Sequence, residues 1–133
     1  MTNAQLEQAI VSLIQTDAAI TMPFHAFSAN PSIVKKIDQG LGIVLYRGSD
    51  NDDASGVNYV MVKKNLKCAL LFYAYDIELI HATLERCYSI LLGKQPSPDH
   101  DPIIVLSDSV DLQDSGLFEG MMLVETSVYV TAG

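Results

Sequence analysis

The 133-residue sequence contains no tryptophan, two cysteines and only eight lysines and arginines. Each scarcity removes a class of explanation. Cys68 and Cys87 form neither a CxxC pair nor a zinc-type spacing, so both are expected to be buried free thiols, because an unpaired cysteine packs as a small hydrophobe. Sixteen acidic residues set against the eight basic ones leave a net charge of −8, which disfavours direct contact with a nucleic-acid backbone. The longest apolar run, Cys68–Tyr75, falls well short of the roughly twenty residues that a membrane-spanning helix needs. No basic segment followed by an apolar stretch opens the chain in the manner of a signal peptide. A soluble, cytosolic protein without a membrane partner is the expectation.

Catalytic signatures are missing as well. The sequence has no GxSxG and no P-loop, and the Gly40–Gly42 pair does not approach a dinucleotide fingerprint. Asp50, Asp52 and Asp53 cluster in one polar stretch, and Asp99, His100 and Asp101 in another. Neither provides the alternating carboxylates and distant glutamate of a calcium loop. His81 stands one helical turn before Glu85, a spacing that suits a surface ion pair better than a catalytic dyad. His25, in "PFHAF", has aromatic neighbours and no nearby acid, and a structural role is expected. The only basic cluster, Lys63, Lys64 and Lys67, lacks the interleaved aromatics of a single-strand binder. No catalytic residue, metal or cofactor is therefore assigned, and the chain is not expected to be an enzyme. A site dispersed along the sequence would be the exception.

What the chain does have is apolar surface. Its hydrophobic fraction is 49% and its charged fraction 18%, a balance that in a small domain leaves surface for a partner subunit to cover. Residues 1–133 are expected to form a single α+β domain. Thr2 and Gln5 make a capping box ahead of a helical stripe, Leu6, Ala9, Ile10, Leu13 and Ile14. Asn30 and Pro31 predict a second, short helix over Pro31–Asp38 that buries Ile33, Val34 and Ile37, with Gly40 as its stop. "LGIVLYRG" and "VNYVMVKK" read as strands joined by a long polar tip, "SDNDDASG". The apolar block Cys68–Tyr75 then reads as a junction into a helix from Tyr75 to Leu92. Ile77, Ile80, Leu84, Cys87, Tyr88 and Leu91 form its buried stripe.

After the loop "KQPSPDHDP" come two more strands, "IIVLSDSV" and "LFEGMMLVETSVYV", joined by "DLQDSG". In the last strand Phe118, Met122, Val124, Val128 and Val130 share one face. The other face, Leu117 to Tyr129, is mixed; it suits either a subunit contact or an ordinary half-exposed sheet. Two hairpins separated by a helix predict a mainly antiparallel four-stranded sheet with helices packed on one face.

The segment from "VNYVMVKKNLK" through "AYDIELIHATLERCYSILLG" to "PIIVLSDSV" and "GLFEGMMLVETSVYV" resembles the tail-terminator (tail-completion) proteins of Mu-like phages and prophages. The likeness lies in the order and spacing of elements over residues 57–131. It consists of a strand ending in a basic residue plus "NL", an "AY" entry into a long helix, a strand of the type "IIVLSD", an acidic turn with "D-S-G-L" and an apolar final strand. The resemblance implies a tail-terminator-like fold and a structural protein that caps the tail tube in a ring, commonly hexameric. It further implies tail-tube and head-completion proteins as partners, assembly in the bacterial host cytoplasm and a final place in the virion tail. A stand-alone binding or regulatory module forming a homodimer is the alternative.

A head-to-tail ring needs two different patches on each subunit. Asp50, Asp52 and Asp53 before the second strand, and Lys63, Lys64 and Lys67 after it, are the expected pair. A strand of about eight residues at roughly 3.3 Å per residue would hold them some 25 Å apart, too far to meet within one subunit. They would then either set the register between neighbours or remain solvated.

Overall fold

The structure is a computed structural model that describes residues 1–29, 40–52 and 61–131. The chain begins with helix α1 (Asn3–Gln15), capped as its sequence predicts: the Thr2 hydroxyl accepts from the Gln5 amide, and the Gln5 side chain accepts from the Thr2 amide. Strand β1 (Phe24–Ala26) and the long strands β2 (Leu41–Asn51) and β3 (Met61–Ala74) follow. Helix α2 (Ile77–Leu91) starts on the Asp76 carboxylate, which accepts from the Glu78 amide. Strand β4 (Ile104–Leu112), a 3-10 turn (Asp114–Gly116) and strand β5 (Phe118–Thr131) complete the order. The short helix expected over Pro31–Asp38 lies outside the described residues.

Among the described residues the sheet has five strands in the order β1-β2-β3-β5-β4. Four are antiparallel, as the two hairpins require, but β1 adds to β2 in parallel, pairing Phe24 with Gly42 and Ala26 with Val44. The sheet is therefore mixed and five-stranded rather than four-stranded. A three-residue strand has no internal period, and only its hydrogen-bonding partner defines it. The second correction concerns Cys68–Tyr75. The block is not a junction but the second half of β3, which runs straight to Ala74 between β2 and β5. Apolar residues occupy the outer row (Ala69, Leu71, Tyr73) as well as the inner one (Cys68, Leu70, Phe72), so the alternation is lost and the strand reads as one apolar run.

Both helices pack on one face, here called inner. Leu66, Cys68, Leu70 and Phe72 of β3, Val44 of β2 and Met122 and Val124 of β5 meet Leu6, Ile10 and Ile14 of α1 and Ile80, Leu84, Cys87 and Leu91 of α2. Phe24 and Phe72 meet edge to face, with centroids 5.6 Å apart. Two glycines make room for this packing. A side chain at Gly42 would strike the Phe24 ring at 2.4 Å, and one at Gly120 would meet the Ile80 side chain at 2.8 Å. Both cysteines are free and buried, and burial pushes their thiols up to about 12.

Candidate functional site

Alternation along β2, β3 and β5 places a second set of side chains on the opposite, outer face, over which no described helix lies. Leu41, Ile43 and Leu45 of β2 pair with Tyr73, Leu71 and Ala69 of β3, and the last two pair in turn with Met121 and Leu123 of β5. The result is an apolar strip across three strands. Leu45, Leu71, Met121 and Leu123 remain half-buried, whereas Leu41, Ile43 and Ala69 are buried. A dimple of about 270 Å³ opens in the strip, lined by Arg47, Lys67, Ala69, Met121 and Leu123. Arg47 reaches this rim because a β-bulge interrupts the β2–β3 register between Tyr46 and Gly48. Gly48 supports the bulge at φ 122°, a conformation that side-chain-bearing residues rarely adopt.

A polar network closes one end of the strip. The Asn65 amide donates to Asp50 at 3.0 Å and to Asp52 at 2.8 Å, and its carbonyl accepts from the Ser127 hydroxyl at 2.7 Å. Lys67 meets Asp50 at 2.7 Å, and Lys63 lies 3.7 Å from Asp52. The Lys67 hydrogen bond, reinforced by Asn65, holds the Asp50 carboxyl below its ordinary value, and Asp50 raises the lysine in return. At the other end the Tyr73 hydroxyl is pushed up to about 12, first by burial and then by the Glu119 carboxylate on the facing strand.

This geometry corrects the expectation that the acidic and basic clusters stand too far apart to meet in one subunit. Asp50 belongs to β2, not to the hairpin tip, and the antiparallel register sets it opposite Asn65. Facing residues on neighbouring strands lie only about 5 Å apart. Lys64 is separated from the other two lysines, because its side chain falls on the inner side, beside Leu66, Val128 and His100. Asp53 lies outside the described residues. The arrangement therefore brings together Asp50, Asp52, Lys63 and Lys67, but not Lys64.

Among the described residues the remaining titratable groups do not gather into one cluster. His81 and Glu85 are exposed on α2, and no ion pair joins them. His25 is half-buried in β1. His100 is buried and bonded through Nδ1 to the Ser97 hydroxyl at 2.6 Å, and burial lowers its pKa. Among the described residues no three His, Cys, Asp or Glu side chains gather as a metal site, and no helix is long and apolar enough to cross a membrane.

Sequence reasoning missed Glu7, Asn65 and Arg47. Glu7 is only 1% exposed, and its carboxylate accepts from the Ser28 amide at 2.9 Å and the Tyr46 amide at 2.8 Å. It thereby pins α1 to the end of β1 and to β2. The signal was available, since Glu7 stands three residues before Ile10 and seven before Ile14, on the buried stripe. Asn65 alternates with Lys63 and Lys67, and that spacing already placed it on their face.

The fold of this chain has a counterpart among known structures. It matches a chain from a structure described as the virion of native gene transfer agent (GTA) particle, with a TM-score of 0.61 and 14% identity. The match covers 94% of this chain and 95% of that one. The likeness is one of fold. No protein-family model and no curated protein matches the sequence.

Proposed function

We propose that this chain is a structural protein of a phage-like virion, a tail terminator that assembles as a ring of six and caps the tail tube. The observation that carries the reading is the fold shared, nearly end to end, with a chain of a gene transfer agent virion. The sequence resemblance to tail terminators over residues 57–131 supports the finer role. In this reading the protein is assembled in the bacterial host cytoplasm, docks between tail-tube and head-completion proteins, and performs no chemistry.

The outer face is the proposed subunit contact. Its strip of Leu45, Leu71, Met121 and Leu123 supplies apolar area, while Asp50, Asp52, Lys63 and Lys67 form a rigid polar border. Because those charges are already paired within the subunit, they shape the contact and add little attraction. Asp53 is kept as a contact residue on the sequence alone, and Lys64, whose side chain falls on the inner side, would have to serve a different contact.

Light scattering after size exclusion, with negative-stain microscopy, tests the proposal. The expected result is a closed ring with the mass of six chains, and loss of that ring in a Leu71→Asp, Leu123→Asp variant that remains folded. A dimer at every concentration, joined through the same face, would favour the stand-alone binding module. A monomer that neither self-associates nor caps purified tail tubes would end the terminator reading.

A further inference from the structure

The sheet has two edges, and they differ in kind. At one edge stands β1, three residues long. At the other stands β4, nine residues long, with one row of backbone amides and carbonyls paired to β5 and the alternate row unpaired among the described strands. An unpaired strand edge is a template for another chain, and proteins usually guard it with lysine, proline, shortness or a covering element. The β4 sequence "IVLSDSVDL" contains no lysine and no proline. Its guards are a register irregularity between Val105 and Ser107 and two carboxylates, Asp108 and Asp111. One of these is turned away, because the Asp108 carboxylate accepts from the Tyr88 hydroxyl on α2.

The side chains along this edge specify what could lie beside it. On the helix side Val105 and Val110 are half-buried, Leu112 is 65% exposed, and the nearby end of α2 presents Leu92 at 56%. An added strand would cover apolar surface there. On the outer side the edge carries Ile104, Ser107, Ser109 and Asp111, and β5 places Glu125 beside Ile104 and Glu119 beside Asp111. That side is acidic without a basic residue in either strand's facing row.

We infer that the free edge of β4 receives an extended segment of a partner protein, one whose side chains alternate between apolar and basic. Main-chain hydrogen bonds would supply the binding and the two side-chain rows the selectivity, as in strand addition generally. Charge disfavours a second copy pairing symmetrically about the strand centre. In that register Asp108 would face its own counterpart, and like charges directly opposite one another are destabilising. The proposed ring contact lies on the outer face and this inference on the edge of β4, so failure here leaves the ring proposal standing.

The test is a titration of the intact protein with a short capped peptide of alternating valine and lysine, compared with alternating valine and glutamate. Amide hydrogen exchange reports the site. The expected result is binding of the lysine peptide alone, with protection gained at alternate amides of Ile104–Leu112. Asp111→Lys, or separately Ser109→Lys, should weaken binding by about tenfold or more without moving the melting temperature. Absence of binding, equal binding of the two peptides, or protection confined to other strands would overturn the inference. So would β4 protection that rises with protein concentration alone, which would identify a second copy as the occupant.

Discussion

On the inner face of β3, Leu66, Cys68, Leu70, Phe72 and Ala74 are buried within the helix-covered core. On its outer face Lys63, Lys67, Leu71 and Tyr73 stay half-buried, Ala69 is buried, and Asn65 is buried at the centre of a polar network. The same strand thus serves two purposes through residues one position apart. The inner row has its partners in the chain and accounts for the folding cooperativity of sheet and helices. The outer row combines half-covered hydrophobes with a fixed polar border, the composition of a surface prepared for a neighbour.

The sharpest way to break that contrast is to truncate adjacent residues. Phe72→Ala should cost about 3–5 kcal/mol, because it removes a ring packed between Phe24 and α2 and leaves a cavity. Leu71→Ala should cost the isolated subunit much less, and urea denaturation of both variants measures the difference. Equal costs would mean that the outer face is as closed as the inner one.

Overfilling is the converse test. Gly42→Ala places a methyl against the Phe24 ring, whose nearest atom lies at 2.4 Å, and should destabilise by about 1–3 kcal/mol through displacement of that ring. Thermal unfolding reads the effect, and pairing the change with Phe24→Leu should recover part of it.

The polar border is a smaller term. Asn65→Ala strands the Ser127 hydroxyl and removes a donor from both Asp50 and Asp52, a loss of about 1–3 kcal/mol. A change with no measurable cost would show that water replaces the amide and that the border is not rigid.

The smallest expected effect is the response to acid. Asp50 is held down by Lys67 and then Asn65, and Asp17 by Arg86 on the far side of the molecule. A carboxyl whose folded pKa is depressed contributes stability above its unfolded value, about 3.9. That contribution is lost as pH falls through the lower folded value. Stability should therefore decline below about pH 4, and Asp50→Asn with Asp17→Asn should flatten the decline. Each pair has one exposed member, Asp50 in one and Arg86 in the other, so added salt should weaken the effect as well.

Periodic features were legible before any coordinates. The α1 capping box, the inward stripe of α2 and the Phe118-to-Val130 face of β5 all follow from spacings within a few residues, and each has its predicted burial or bond, except that Ile77 and Val130 are more exposed than their stripes suggest. Glu7 was legible in principle, as a charge set into an apolar stripe, but its two amide partners come from Ser28 and Tyr46 and no local rule names them.

The sequence by itself determined an α+β chain with long amphipathic elements, a low basic content, buried thiols and more apolar side chains than one face of a sheet can hide. Only the tertiary structure decided that Cys68–Ala74 continues a central strand, that β1 joins β2 in parallel, that Asp50 meets Lys67 and that β4 ends the sheet. The physical reason is the range of the interactions. Helical and strand periods act between residues two to four apart, whereas register, strand order and edge position depend on hydrogen bonds between segments that the sequence separates.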